Sequence, residues 1–289
     1  MRCFAIIMLL ISSSVSCFAV DVLVVRHIQP EASYDNRNQY FLDMLRLALE
    51  KTKKTYGPFI LQVTDKKMVQ ERALMSLEQG KELDVIWTMT TREREKQFLP
   101  IRIPLEKGLI GYRLFLIHKD DKEKFNSIQT LQQLIQLKAG QEEGWPDTQI
   151  LRQNGLRVIS VPDYDSLFRM LKKKRFDYFP RGVFEIQSES SLHEELLIED
   201  SLTIHYPAAI YFFVNKNNKQ LAKRLEVGLR MAINDGTFQS LFLNQKSMRQ
   251  ALQLIKQSNR RLFQLKNPLL PLETPLQENG LWHFPFSHN

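Results

Sequence analysis

The stretch "ELDVIWTMTTREREKQFLPIRIPLEKG", residues 82–108, joins an apolar run to a charged one. Residues 84–89, "DVIWTM", are typical of a strand buried in a sheet. The polar run at 90–96, "TTREREK", follows at once and indicates a turn that leads into a helix. Charge runs of this kind usually face water, so the pattern alone makes Arg94 a surface residue. The alternative is a ligand contact at the carboxyl end of the strand.

Strand and helix signals alternate on both sides of this stretch. The predicted strands are 21–27, 59–63, 84–89, 111–121, 157–161, 176–179 and 208–216. The predicted helices are 38–55, 69–77, 131–137, a short one from 144–148 to Asn154 and Gly155, 166–174, one that ends at Gly236 and two more to about Ser258. This alternation predicts two α/β units with a cleft between them.

Ligands of such sheets bind where strands end and helices begin. The segments expected to form the cleft are 28–36, 88–94, 144–148 and 180–185. In the first of them, Gln29 and Tyr34 are candidate ligand contacts by position alone.

A second charged feature is "KKKRFDYFPRGVFEI", residues 172–186, in which a predicted strand stops at Pro180, Arg181 and Gly182. A fixed positive charge at the end of a buried strand favours a place on the cleft. Arg181 is therefore a candidate ligand contact, and a salt bridge between the two units is the alternative.

The first 19 residues have the layout of a secretory signal peptide, with Arg2 before a short apolar run and a small-residue region that ends at Ala19. We expect export to the periplasm. A lipoprotein anchored at Cys17 is the alternative, and Ser14 argues against it, because such signals usually carry leucine there. Cys3 and Cys17 are the two cysteines, so the processed chain is expected to form no disulfide.

Composition excludes several classes of protein. Forty Lys and Arg against 32 Asp and Glu give a net charge of +8, but the charges alternate in sign along the chain, unlike the basic stripe of a nucleic-acid binder. The six histidines show no metal-ligand spacing, and no nucleophile elbow or phosphate loop is present. We therefore expect no metal, no cofactor and no enzymatic activity.

Residues 82–108 resemble the segment of family 3 (amino-acid type) periplasmic solute-binding proteins in which a strand "D-a-I" precedes a Thr-rich turn and "T-x-E-R". The segments "SIQTLQQLIQLKAG", "GWPDT", "RFDYF" and "FFVNKNNKQLAKRLEVGLRMAINDGTFQSLF" fit the same family in the same order, and the resemblance covers residues 20–245. It implies an α/β, two-lobed type II periplasmic-binding-protein fold with a ligand cleft between the lobes. The expected division is a signal peptide at 1–19, lobe 1 at 20–108, lobe 2 at 109–207 and a return to lobe 1 at 208–289.

The resemblance also implies site residues. Arg94 falls on the arginine that grips a ligand carboxylate, with hydroxyl donors from Thr90 and Thr91. Trp87 and Trp145 are candidates for stacking on a ligand, with packing as the alternative. Asp147 and Thr148 lie at a predicted helix start, where they cap the helix and can also contact an anion.

Three positions depart from the family pattern. Trp87 and Met89 stand at turn positions where the family often has a small residue and a threonine. The acidic residue that holds the ligand's amino group falls on Gly182, directly after Arg181. Glu185, Asp177 and Glu31 are the substitutes that the sequence offers.

These features predict a monomeric binding protein that closes on a small carboxylate-bearing, anionic or amino-acid-like solute for an ABC-type inner-membrane permease. A module that reports its ligand to a membrane receptor is the alternative. An enzyme on the same scaffold, with Glu185 as its acid, is a weaker one.

Overall fold

The computed structural model describes residues 21–29, 37–256 and 259–283 of the 289-residue chain. The expected signal peptide and the candidate residues Glu31 and Tyr34 lie outside the described residues.

Twelve strands are present in this part of the chain, and several coincide with apolar runs of the sequence. They are β1 (Leu23–His27), β2 (Phe59–Val63), β3 (Val85–Met89), β4 (Phe98–Ile101), β5 (Tyr112–His118), β6 (Lys138–Glu142), β7 (Arg157–Val161), β8 (Tyr178–Gly182), β9 (Leu196–Ile198), β10 (Leu202–His205), β11 (Ile210–Asn215) and β12 (Arg261–Gln264).

Twelve α-helices alternate with these strands along the described ranges. They are α1 (Arg37–Lys51), α2 (Lys53–Tyr56), α3 (Gln70–Gln79), α4 (Arg92–Gln97), α5 (Lys122–Asn126), α6 (Leu131–Ile135), α7 (Pro146–Gln153), α8 (Tyr164–Lys172), α9 (Ile186–Ser190), α10 (Lys219–Asn234), α11 (Thr237–Asn244) and α12 (Lys246–Lys256).

The first lobe is built on β1, β2, β3, β4 and β11. β1 pairs with β2 in parallel, and β11 lies between β3 and β4, antiparallel to both. Asp84 N donates to Arg26 O at 2.9 Å and so joins the two groups of strands. Helices α1 and α10 pack closely on this lobe, since a Cβ added to Gly228 would lie only 1.9 Å from the Ala48 carbonyl oxygen.

The second lobe contains a seven-stranded mixed sheet in the order β12-β10-β5-β8-β6-β7, with β9 paired to β5. Three segments connect it to the first lobe: residues 102–111 between β4 and β5, residues 206–209 between β10 and β11, and the chain that follows β12. The arrangement is the two-lobed α/β fold that the alternation of strands and helices predicts.

The topology corrects the expected position of Arg181. Arg181 lies inside β8 and does not follow the strand, because β8 continues through Pro180 to Gly182. Val183 N donates to Tyr112 O of β5. Successive backbone N–H groups of a strand point to opposite sides, so the nitrogen of Pro180 points away from β5. β6 pairs with β8 only at Tyr178, so the proline removes no ladder hydrogen bond.

The end of the chain does not belong to the first lobe alone. The sequence assigns residues 208–289 to lobe 1, whereas β12 lies in the lobe 2 sheet and pairs with β10 in parallel. This placement depends on pairing between residues 59 positions apart in the sequence, such as Leu202 and Arg261. A strand of four residues gives little local signal. The chain then returns to lobe 1, where Leu281 and Trp282 are buried.

Candidate functional site

A cavity lies between the two lobes, and we call it the central cavity. It is lined by Ile28, Asn38, Phe41, Gln70, Trp87, Thr88, Met89, Ile110, Arg113, Trp145, Pro146, Asp147, Arg181, Glu185 and Ile210. Its volume of about 130 Å³ is room for several water molecules, and so for a small solute. Aromatic and aliphatic side chains form most of the wall, and four charged side chains enter it.

Arg94 stands behind the first-lobe wall of this cavity. Thr91 caps α4 by accepting a hydrogen bond from Arg94 N at 3.1 Å, which turns the Arg94 side chain inward. Only 7% of Arg94 is exposed. Its guanidinium donates to Thr88 Oγ1 at 2.7 Å and to Met89 O at 2.8 Å. It also donates to Gln70 Oε1 and, across the cleft, to Gly144 O at 3.3 Å.

All four acceptors of Arg94 are neutral. Among the described residues, no carboxylate lies within salt-bridge distance of it. Burial lowers the pKa of Arg94 to about 10, although the more distant Asp147 and Glu71 partly offset this effect. A buried charge without a counter-charge is unfavourable, so this position is electrostatically suited to an anion.

Arg181, on the second-lobe wall, has the opposite surroundings. It is 2% exposed and grips Glu189 through two nitrogens, with Nε–Oε2 at 2.8 Å and Nη2–Oε1 at 2.7 Å. Its Nη2 lies 3.2 Å from Glu185 Oε2. The Trp145 ring covers the guanidinium, with 4.7 Å between ring centroid and Cζ. Burial alone would lower the pKa of Arg181, but the two carboxylates outweigh it and the pKa is raised.

A third buried arginine, Arg113, enters the cavity from β5, and sequence analysis missed it. Its Nη2 lies 2.6 Å from Asp147 Oδ1, at an angle unfavourable for a hydrogen bond, so the contact is an ion pair. Tyr206 donates to the same Asp147 oxygen. The sequence does carry a signal for Arg113, which is a lone charge near the start of an apolar strand. A charge that is buried in such a strand needs a partner.

Glu185 takes up the space beside Gly182. Its Oε2 accepts from Gly182 N at 3.0 Å and lies 2.7 Å from where a Cβ of residue 182 would be. The carboxylate therefore stands where a side chain on residue 182 would begin. Of the other substitutes, Asp177 pairs with Lys124 and accepts from Lys138 N, outside the central cavity.

Other predicted site residues divide between the cavity and the scaffold. Trp87 and Trp145 line the cavity, where Trp87 donates to Asn38 Oδ1 at 2.9 Å. Thr90 donates to Glu95 Oε1 at 2.7 Å and is fully buried.

Thr148 and Gln29 also bond to the scaffold. Thr148 donates to Glu142 O at 2.7 Å, and Gln29 donates to Thr64 O at 2.6 Å. Thr90 and these two residues are not among those that line the central cavity. Their ligand roles therefore stay predictions without a contact in the central cavity, although Thr148 lines a neighbouring cavity together with Arg94.

Glu106 lies in the connection between β4 and β5 and is fully buried. Its carboxylate oxygens lie 3.3 and 3.2 Å from Ile210 N, so it joins the two interlobe connections. Burial raises the pKa of Glu106 to about 8, against the effect of hydrogen bonds from the backbone and of the Arg113 charge. Glu106 is accordingly neutral at pH 7.

Within the described ranges, no group of three or more His, Cys, Asp or Glu residues is arranged to hold a metal ion. No helix of this part of the chain has the length and apolar character needed to cross a membrane.

Comparison with known proteins gives matches in structure only. No family model and no curated protein matches the sequence. An arginine-specific periplasmic binding protein of Salmonella typhimurium is similar in structure, with a TM-score of 0.58, 16% identity and coverage of 76% of this chain and 97% of that one. An L-arginine-bound amino acid ABC transporter substrate-binding protein of Streptococcus pneumoniae has a TM-score of 0.58, 18% identity and coverage of 80% and 93%.

A third similar structure is an ancestral amino-acid-binding protein described as a precursor of cyclohexadienyl dehydratase. It has a TM-score of 0.54, 16% identity and coverage of 76% of this chain and 93% of that one. At these identities the comparison shows the fold: this chain has the two-lobed fold of periplasmic amino-acid-binding proteins, as the sequence resemblance implies.

Proposed function

We propose that this chain is an exported solute-binding protein whose lobes close on a small carboxylate-bearing solute, with an α-amino acid as the best-matched class. Arg94 carries the proposal, because it is a buried cation whose hydrogen bonds to the described residues all go to neutral oxygens. A ligand carboxylate supplies the missing counter-charge and can accept two parallel hydrogen bonds from a guanidinium.

Gln70 lies between the central cavity and Arg94. It lines the central cavity and holds Nη2 of Arg94 through its amide oxygen. An amide oxygen is a weaker partner for a guanidinium than a carboxylate. In the proposed complex, the ligand carboxylate replaces Gln70 on Arg94.

The opposite wall suits an ammonium group. Among the described residues, Glu185 lines the cavity on this wall, and its carboxylate lies beside Gly182, at the place expected for the family's acidic residue. A zwitterion matches this pair of walls, with its carboxylate toward Arg94 and its ammonium toward Glu185.

A thermal-shift screen tests the proposal with α-amino acids, the matching des-amino carboxylic acids and the matching amines. A ligand that binds the folded state raises the unfolding midpoint. We expect a shift from one or more α-amino acids, its loss in Arg94→Ala and its retention in Lys96→Ala, an exposed change on the same helix. No shift with any carboxylate in the parent protein, or an undiminished shift in Arg94→Ala, would overturn the proposal.

The amine part of the proposal has its own test. Glu185→Gln keeps the shape of the side chain and removes its charge, so the preference for an amino acid over its des-amino analogue should shrink. An unchanged preference would remove Glu185 from the site and leave the carboxylate assignment intact. Delivery to an ABC-type permease is the remaining part of the proposal, and it needs reconstituted transport.

A further inference from the structure

The chain passes between the lobes a third time after β12. Leu265 N donates to His205 O at 2.8 Å, where the tail leaves the lobe 2 sheet beside the β10–β11 connection. Arg92 N then donates to Leu269 O at 2.8 Å, on the first lobe. Residues 265–269 therefore run from one lobe to the other alongside residues 206–209. We call residues 265–269 the third crossing.

Its second-lobe end is firmly attached. β12 pairs with β10 over four residues, and Phe263 and Leu265 are buried. Asn154 Nδ2 donates to Lys266 O at 2.8 Å, and Lys266 N donates back to Asn154 Oδ1 at 3.0 Å. This reciprocal pair joins the C-terminal end of α7 to the tail.

Its first-lobe end is attached as well. Trp282 packs over Gly108, where an added Cβ would lie 2.5 Å from the indole ring. His283 N donates to Lys107 O at 2.9 Å, and Arg230 pairs with Glu278 at 2.7 Å. The tail thus clasps residues 102–111, the first interlobe connection, from outside.

Asn267 links the third crossing to its neighbour. Its Nδ2 donates to Pro207 O at 2.8 Å, and its Oδ1 accepts from Leu269 N at 3.0 Å. A hinge opens when a few backbone dihedrals in each connecting segment change. Two segments can rotate about a common axis, and a third that is anchored at both ends restricts how far that rotation can go.

We propose that the third crossing is a strap that limits how far the two lobes can separate. It accompanies contacts that span the cleft: Arg94 reaches Gly144 O, and the Phe41 and Phe184 rings lie 6.4 Å apart. The strap is independent of what the cleft binds.

The test measures the distance between two spin labels at Lys67→Cys and Asp165→Cys. These exposed positions face each other across the cleft mouth, and the two native cysteines are replaced by serine. A flexible Gly-Ser linker inserted after Lys266 lengthens the strap and keeps both anchors. The matched control carries the same linker after Asn217, in an exposed turn.

The parent and the control insertion should give the same distance distribution. The insertion after Lys266 should add longer distances to it, while the thermal midpoint stays near that of the control. An unchanged distribution after the insertion at Lys266, or an equal lengthening in the control, would overturn the proposal.

Discussion

Arg94 and Arg181 face the same cleft from opposite lobes, and their surroundings could hardly differ more. Both are nearly inaccessible to solvent. Arg181 meets two carboxylates and three aromatic rings, whereas the acceptors of Arg94 among the described residues are neutral oxygens. The comparison separates two kinds of buried cation: Arg181 has its counter-charge within the fold, whereas for Arg94 we propose that a ligand carboxylate supplies it.

This contrast predicts that substitutions around Arg181 and around Arg94 change the free energy of unfolding by different amounts. The largest effect should follow from Glu189→Gln, because it leaves the Arg181 charge without its main partner. Breaking a buried pair costs about 3 to 5 kcal/mol of unfolding free energy. Glu194→Gln, an exposed change close by, should stay within about 0.5 kcal/mol. Chemical denaturation measures both, and equal stabilities would show that Arg181 does not depend on the pair.

Glu106 shows a third outcome for a buried ionisable group, since it stays neutral. Its pKa of about 8 in the fold lies above the 4.5 of an ordinary glutamate, so the unfolded chain releases this proton at lower pH. The contribution of Glu106 to the free energy of unfolding is therefore fully present below about pH 4.5. It is lost as the pH rises to about 8.

The loss of unfolding free energy across this window is up to roughly 5 kcal/mol. Glu106→Gln keeps the acceptor for Ile210 N and removes the titration. The difference in unfolding free energy between parent and variant should therefore change steeply across this pH window. A constant difference from pH 5 to pH 8 would mean that Glu106 is ionised in the fold.

Gln70→Glu makes the surroundings of Arg94 resemble those of Arg181. The new carboxylate would lie at the oxygen that Arg94 already holds, and a charged pair is stronger than a charge–amide bond by about 1 to 2 kcal/mol. We expect a higher unfolding midpoint together with weaker ligand binding. Gln79→Glu, exposed on the same helix, is the control and should change neither. A variant that binds ligand as well as the parent would contradict the placement of the carboxylate.

The strands and the family pattern were readable from sequence, because apolar runs such as 59–63 and 157–161 coincide with β2 and β7. The surroundings of the arginines were not. In "REREK" the Arg94 side chain looks solvated, and its burial depends on Gln70 and Gly144, 24 and 50 residues away. β12 likewise depends on a distant segment, because its partner β10 lies 59 residues earlier in the sequence. The four residues of β12 carry no pattern of their own.

Glu185 shows which contacts can be predicted from residues that are close together in the sequence. It was one of three substitutes named for the acidic residue missing at Gly182, and a contact three residues along the chain brings it there. Arg113 needed knowledge of its partner Asp147, which comes from a different element of the second lobe. Short-range contacts were therefore accessible from the sequence, whereas charge pairing across the fold was not.

The smallest effect on stability should come from Arg94→Met, about 1 kcal/mol, because the lost hydrogen bonds are offset by removal of an unpaired buried charge. Chemical denaturation beside Glu189→Gln checks this order. A loss as large as that of Glu189→Gln would mean that Arg94 is a structural residue.

Calorimetric titration of the best carboxylate ligand into the parent, Arg94→Met and Lys96→Met proteins tests the central claim most directly. If Arg94 awaits the ligand's carboxylate, its replacement should raise Kd on the order of 100-fold, whereas Lys96→Met should leave Kd within a few-fold. Equal affinities for the parent and Arg94→Met would contradict the claim.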